Sequence, residues 1–304
     1  MEKSELLKQV ENIYRQDGNI IEYLRKINDN ENNSAESILL SYEFQSGSYV
    51  DAYLKNPDET EKYTNQIVEE IRGLQKNEPF ITILEAGVGE ATTFKNIITK
   101  LECKSENCYG FDISWSRVKV AKDFLNQYQT GGKTGHLFTG DLSAIPIRDC
   151  SIDVVYTSHA IESNGGRSDQ ILKELYRITK KYLLLFEPDY DFACDEGKKR
   201  MEKYGYVRGL ADSALELGYD VVKRAPLKYV ANPLNPTSVI IIKKPETEQV
   251  ENGGTLFQCP VTKTSLLNHK EVYFTPSGYL MYPVIKEIPC LLESNAILGH
   301  CYNK

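Results

Sequence analysis

Eight residues in the middle of the chain have the types and spacing of a ligand cradle and its chemistry. The run ILEAGVGEATTF (83–94) places Glu85 ahead of a turn containing Gly87 and Gly89. A second apolar run, GFDIS, closes on Asp112, and a third closes on Asp141 in TGD, with Leu142 directly after it. Beyond a fourth run, YTSHAIESNGGR carries His159 and Glu162, a base and an acid of the kind that move protons. Glycines free the backbone for a tight turn against a ligand.

A dinucleotide cradle reads G-x-G-x-x-G and lays a pyrophosphate on the following helix. Here the turn is Gly87-Val88-Gly89-Glu90-Ala91-Thr92, so the third glycine is missing, and Glu85 and Glu90 flank the pair. A carboxylate against a pyrophosphate is repulsive by about 1–4 kcal/mol at contact. The same carboxylates suit a ligand that carries an ammonium and a sulfonium, and S-adenosyl-L-methionine carries both. Asp112 can accept both ribose hydroxyls of an adenosine, a feature shared with NAD folds. Asp141 can accept from an adenine amino group while the Leu142 backbone N–H reaches a ring nitrogen. Plainer readings exist for each: the glycines permit a turn, and Asp112 and Asp141 cap helices. The ordered set points to a ligand where its members singly do not.

The elements that must hold these residues alternate. Strands are expected over 80–86, 107–113, 136–141, 152–158 and 182–188, and helices over 117–128 and 168–181. Strands apolar on both sides, separated by helices, predict a parallel sheet covered on both faces. A long helical section follows over about 195–217. Two further strands, 219–230 and 238–245, are joined by ANPLNPT and read as a closing hairpin at the sheet edge. Residues 1–75 read as a helical cap. Leu6, Val10 and Tyr14 share a helix face with Ser4 as its N-cap, 29–37 is a loop, and Tyr63, Ile67, Ile71 and Leu74 share a second face. A polar, aperiodic stretch at 245–255 is the expected linker to a short-stranded module over 255–304.

With this order in place, the chain resembles class I S-adenosylmethionine-dependent methyltransferases over roughly residues 40–245. LEAGVGEAT matches the acid-x-Gly-x-Gly motif of that family, GFDIS its second motif, and GDLSAIPIRDCSIDVVYTSHAIE its third and fourth. Ala91 departs from the pattern, since many members carry Gly there. The resemblance implies an α/β, Rossmann-like, seven-stranded sheet, parallel with an antiparallel terminal hairpin, over 76–245. It implies S-adenosyl-L-methionine as cofactor, held by Glu85, Gly87, Gly89, Asp112, Ile113, Asp141 and Leu142. It also implies that an N-terminal helical segment closes over the cofactor, where Gln45 and Tyr49 meet the cofactor carboxylate or the acceptor. The alternative for that segment is a helix packed on the sheet edge.

Methyl transfer asks the protein to align the reactants and exclude water, and a high-pKa acceptor also needs a base. His159 is one of four histidines, and its family-like position is beside the transferable methyl. Its readings are general base, cofactor contact or packing residue. Glu162 binds a cationic acceptor or caps a helix. Glu187, Asp189 and Tyr190 in EPDYDF open on the acceptor side.

The tail resembles the small zinc-ribbon-derived domain of methyltransferase activator subunits, through CPVTK, SGYLMYPV and IPCLLE. A zinc ribbon needs paired C-x-x-C thiols. Cys259-Pro260-Val261-Thr262 keeps one, and His269 and Cys290 have the wrong spacing, so a metal-free module is expected.

Composition bounds the rest. The 304 residues are 41% hydrophobic and 26% charged, with no membrane span expected and no apolar segment of a secretory signal at the N-terminus. Seven cysteines without a C-x-x-C pair read as reduced thiols, and the expected location is the cytoplasm. A net charge of −7 weighs against nucleic acid as a partner. The basic run at 197–203 reads as a solvated helix face. The expected acceptor is an oxygen or nitrogen of a small molecule or glycan precursor. A macromolecule acceptor docked by the tail and a cofactor-binding protein without activity are the alternatives.

Overall fold

The computed structural model describes residues 2–29, 32–128, 134–246, 255–300 and 302. The helical cap comprises α1 (Lys3–Arg15), α2 (Ile20–Ile27), α3 (Ala35–Phe44), α4 (Ser48–Lys55) and α5 (Pro57–Asn77). Asn19 caps α2 by accepting from Glu22 N, and Ser34 caps α3 by accepting from Ser37 N. Because Ser34 is a cap, helix replaces the loop expected up to 37. Ser4 does not cap α1: Glu2 holds that position without a side-chain bond, and Ser4 lies inside the helix. Gly47, at φ 99, breaks the chain between α3 and α4.

The central sheet is built from β1 (Ile83–Ala86), β2 (Cys108–Asp112), β3 (His136–Thr139), β4 (Ile152–Ser158), β5 (Thr179–Pro188), β6 (Asp220–Pro226) and β7 (Thr237–Lys243). Its spatial order is β3-β2-β1-β4-β5-β7-β6. The first five strands are parallel; β7 runs antiparallel to β5, and β6 antiparallel to β7. The helices between strands are α6 (Thr92–Lys100), α7 (Trp115–Tyr128), α8 (Ser168–Ile178), α9 (Asp195–Tyr204) and α10 (Leu210–Glu216). The strand order reverses between β1 and β4, so the crevice beyond their C-terminal ends is where an open α/β sheet takes a ligand.

Side-chain alternation shows why the sheet is buried on both faces. Ile83, Val154 and Tyr156 face one core with Ile67, Phe94 and Val118; Leu84, Val155 and Leu183 face the other with Ile171, Leu175 and Ala214. Burying each such aliphatic side chain is worth about 1.5–3 kcal/mol. Two expected elements differ. The helix over 168–181 ends at Ile178, because Thr179 already pairs with Ile152 in the sheet. The single helix over 195–217 is two, broken where Gly205 and Gly209 take left-handed φ of 65° and 67°.

The tail forms a second, five-stranded sheet from β8 (Leu267–His269), β9 (Val272–Phe274), β10 (Leu280–Ile285), β11 (Ile288–Pro289) and β12 (Ile297–Leu298). It does not stand apart from the main sheet. Leu291 N donates to Thr139 O and Oγ1, at 3.2 and 3.1 Å. Leu266, Tyr282 and Leu291 join the core that contains Phe111, Phe138 and Ile147. The tail thereby covers the exposed edge beside β3. Of the linker expected over 245–255, residues 247–254 lie outside the described residues.

Candidate active site

The glycine turn comes first because the rest hangs on it. Gly87 N and Val88 N both donate to Phe111 O, at 2.9 and 2.8 Å, which draws the turn against the end of β2. Gly87 has φ 79, and a Cβ there would meet the Ala160 Cβ at 2.3 Å, so no larger residue fits. Ala91, in the family's glycine position, still takes the left-handed φ of 60 at the mouth of α6. A left-handed L-residue costs about 1–2 kcal/mol.

Asp112 ends β2 at 5% exposure. Its Oδ2 accepts from Gly89 N at 3.0 Å and its Oδ1 from Ser114 N at 2.9 Å. Burial raises its carboxyl above the ordinary value, although the Arg117 charge and the two N–H donors pull the other way. Each carboxylate oxygen retains a lone pair for a further donor. Asp141 folds onto its own loop, Oδ1 accepting from Ser143 N and Oγ at 2.8 Å each, while Oδ2 lies 3.7 Å from Arg167. Gly87, Asp112, Ile113, Asp141, Leu142 and His159 line one pocket.

The two glutamates that flank the glycines sit elsewhere. Glu85 is 1% exposed behind the turn, takes the Tyr156 O–H at 2.8 Å, and is pushed by burial up to about 8. Glu90 does not face a ligand: its oxygens accept from Gly47 N at 2.9 Å and Val50 N at 2.7 Å, capping α4. Glu43 returns the tie, accepting from Ser114 Oγ and Ser116 N at 3.0 and 3.3 Å. Two carboxylates thus fasten the helical cap over the pocket, one from each side. Gln45 donates to Ser41 Oγ at 2.8 Å and does not line the pocket. Tyr49 is half exposed, and its ring lies over Arg117.

His159 follows β4 in the left-handed region, at φ 53, a strained setting for a non-glycine residue. Glu187, at the end of β5, makes that turn possible by accepting from Ala160 N and Ile161 N at 3.0 and 3.2 Å. Burial pushes Glu187 up to about 7. His159 Nδ1 lies 3.1 Å from Glu162 Oε2, and Nε2 lies 2.9 Å from Thr237 Oγ1. A carboxylate only accepts, so Nδ1 carries the hydrogen and, in the neutral ring, Nε2 accepts from Thr237. Burial lowers the His159 pKa, but the Glu162 hydrogen bond and the Glu162 and Glu187 charges outweigh it, and the net shift is upward. Asn235 also donates to Glu162, at 3.3 Å. Asp189 and Tyr190 turn away: Asp189 pairs with Arg224 and Ser238, and Tyr190 O–H donates to Glu202.

Sequence reasoning missed Arg117, which lines the same pocket. The available signal was a basic residue in the first turn of the helix that follows Asp112. It also missed Tyr42, whose ring covers Arg117 from α3 at 4.5 Å. In the tail, Cys259 Sγ is 3.1 Å from Tyr282 O–H and accepts from Thr262 N at 3.3 Å. Among the described residues no cluster of three or more His, Cys, Asp or Glu side chains is placed to hold a metal, and no helix is long and apolar enough to cross a membrane.

Residues 84–185 match a family model described as a methyltransferase domain. Solved structures similar to this chain include magnesium protoporphyrin IX methyltransferase from Synechocystis PCC 6803 with bound SAH. It is 13% identical, with 61% of this chain and 83% of that one covered at a TM-score of 0.49. A SAM-dependent methyltransferase from Aquifex aeolicus is 17% identical over 54% of this chain and 81% of that one, at 0.42. The YcgJ protein from Bacillus subtilis is 14% identical over 61% and 98%, at 0.44.

Proposed function

We propose that the protein, whose residues 84–185 match a methyltransferase-domain model, is an S-adenosyl-L-methionine-dependent methyltransferase. Its acceptor is an oxygen or nitrogen of a small molecule or glycan precursor. The observation that carries this reading is that Asp112 and His159 line one pocket, with Glu162 bonded behind the imidazole. The residues fit the cofactor chemically. Asp112 keeps lone pairs for ribose hydroxyls, and Ile113 and Leu142 offer apolar flanks for an adenine.

When bound, the cofactor supplies a methyl group on a positively charged sulfur, open to in-line displacement. The chain's own residues do the rest. Glu162 holds the His159 Nδ1–H, so Nε2 is the basic nitrogen. An acceptor O–H or N–H that takes the place of the Thr237 hydroxyl delivers its proton there. The helical cap, tied down through Glu43 and Glu90, keeps water from the pocket.

A small acceptor is favoured over a macromolecule by where the tail sits. Its contacts run along β3 and Thr139, on the Asp141 side, whereas His159 follows β4 across the sheet. The test is transfer of labelled methyl from S-adenosyl-L-methionine into a cell extract separated by size. Label in the small-molecule fraction is the expected result. Label confined to protein or RNA overturns the acceptor class, and cofactor binding without transfer to any fraction overturns the activity. Tight NAD binding with no S-adenosyl-L-methionine binding in calorimetry overturns the cofactor.

A further inference from the structure

The basic run over 197–203 does not lie wholly in solvent. Arg200, in the middle of α9, has its Nη1 buried, and among the described residues that nitrogen has no hydrogen-bond partner. Its Cζ lies 5.1 Å from the Tyr204 ring centroid and 5.6 Å from that of Tyr206. The neighbouring acid, Glu202, is engaged elsewhere: it takes the Tyr190 O–H at 2.6 Å and faces Arg208 at 3.8 Å. Further cations gather nearby, Lys198 and Arg208 at 5.3 and 5.5 Å from the Tyr190 centroid, and Lys203 at 5.5 Å from that of Tyr204. Tyr206 does not supply a counter-charge. Burial and the Glu162 charge push its hydroxyl up to about 12, so it stays neutral even beside Arg200. A buried guanidinium nitrogen without an acceptor costs free energy unless something completes it.

The fold sets this charge on the acceptor side. Val207 N, directly after Tyr206, donates to Glu162 O at 2.9 Å. Asn33 of the helical cap clamps the same two segments, donating to Ser163 O at 2.9 Å and to Tyr204 O at 3.3 Å. Arg200 is not among the residues lining the pocket of Asp112 and His159, so it stands outside the cofactor cradle, on the Glu162 side. With tyrosine rings against the guanidinium, its N–H groups act along the edge, where a carboxylate or phosphate oxygen accepts them best. A neutral molecule leaves the charge unpaired, and a cationic one is repelled by Arg200 and by the lysines and arginine around it. We infer that Arg200 sets acceptor specificity by binding a carboxylate or phosphate group on a small acidic acceptor whose reacting atom lies at His159. This inference rests on the proposal that the pocket passes a methyl group to a small molecule, and it names the charge of that molecule.

The test is transfer of labelled methyl from S-adenosyl-L-methionine into the small-molecule fraction of a cell extract, followed by anion exchange at neutral pH. Unreacted cofactor, a net cation, passes through, and the labelled product should be retained. Treating the extract with phosphatase beforehand separates the two groups: a phosphate-bearing acceptor loses its labelling, and a carboxylate-bearing one keeps it. Titrating the extract then tests the residue. Arg200→Met should raise the amount needed for half-maximal labelling about 10- to 100-fold, far more than it lowers the maximal rate, with S-adenosyl-L-methionine affinity in calorimetry within about twofold of wild type. Arg200→Lys should recover part of the loss, because an ammonium keeps the charge and loses the fork. If Arg200 only packs α9, the variant loses melting temperature and maximal rate while the half-maximal amount stays put. That result, an unchanged titration, or a labelled product that is neutral or cationic overturns the inference alone. Absence of label in every fraction overturns the activity and the inference with it. If Arg200→Met does not fold, the charge of the wild-type product and Arg200→Lys decide.

Discussion

Glu162→Gln tests whether one carboxylate sets the charge state of His159. Glu162 Oε2 stands 3.1 Å from Nδ1. A unit charge about 4 Å away is worth about 4 kcal/mol at an effective dielectric of 20. The imidazole is 33% exposed, so about half of that is lost to solvent screening. About 2 kcal/mol remains. Gln keeps the shape and an acceptor oxygen but removes the charge, leaving burial opposed by the retained hydrogen bond and the Glu187 charge. His159 should therefore titrate lower in the variant than in the wild type. NMR titration of the four histidines reads this directly, with His159 assigned by its loss in His159→Ala. Stability must follow. The folded pKa lies above the unfolded value, so the stabilisation is complete below about pH 6.5 and is lost as pH rises through the folded value. Glu162→Gln should thus cost about 2 kcal/mol more at pH 5.5 than at pH 9. An unchanged His159 titration, or the same destabilisation at both pH values, refutes the reasoning. If His159 is the base, the acid limb of the rate profile moves down with its pKa.

Three further outcomes are expected. If Asp112 binds the ribose as proposed, Asp112→Ala should remove one or two charge-assisted hydrogen bonds, each about 1.5–3 kcal/mol, so S-adenosyl-L-methionine affinity in calorimetry should fall at least about tenfold. Glu85 is pushed from an ordinary 4.5 to about 8, so between those values the folded protein holds a proton that the unfolded chain releases, and stability falls as pH rises. Glu85→Gln should therefore raise the melting temperature, and by more at pH 8 than at pH 5. The Cys259 thiol is engaged by Tyr282 and Thr262, so a chelator should leave the melting temperature unchanged; one zinc per chain by elemental analysis would contradict that.

The strands and the ligand side of the sheet were legible because they depend on local periodicity. Continuous apolar runs such as IDVVYTS and YLLLFEP can only be buried on both faces, which dictates a covered parallel sheet. Asp112 then closes β2 and Asp141 lies two residues past the end of β3, both on the side where the apolar runs stop. Gly87 was legible in type; that it packs against Ala160 was not. The glycines at 205 and 209 are visible in the sequence, but the left-handed φ that breaks the helix there is not.

What sequence could not decide is which partner each charged side chain takes. Glu85 and Glu90 lie five residues apart, yet one is buried against Tyr156 and the other caps a helix from the N-terminal segment. The tail read as a small β-rich module and does form its own sheet; that its apolar side chains also complete the core on the β3 side was not legible. Arg117, Tyr42 and Tyr49 converge only because the cap folds back over the turn. Hydrophobic periodicity is a property of neighbours along the chain, and the sequence by itself determined the strands, their order of chemistry and the cradle's position. The pairing of charges across a pocket depends on distances between remote segments and on the water excluded between them, so only the tertiary structure decided it.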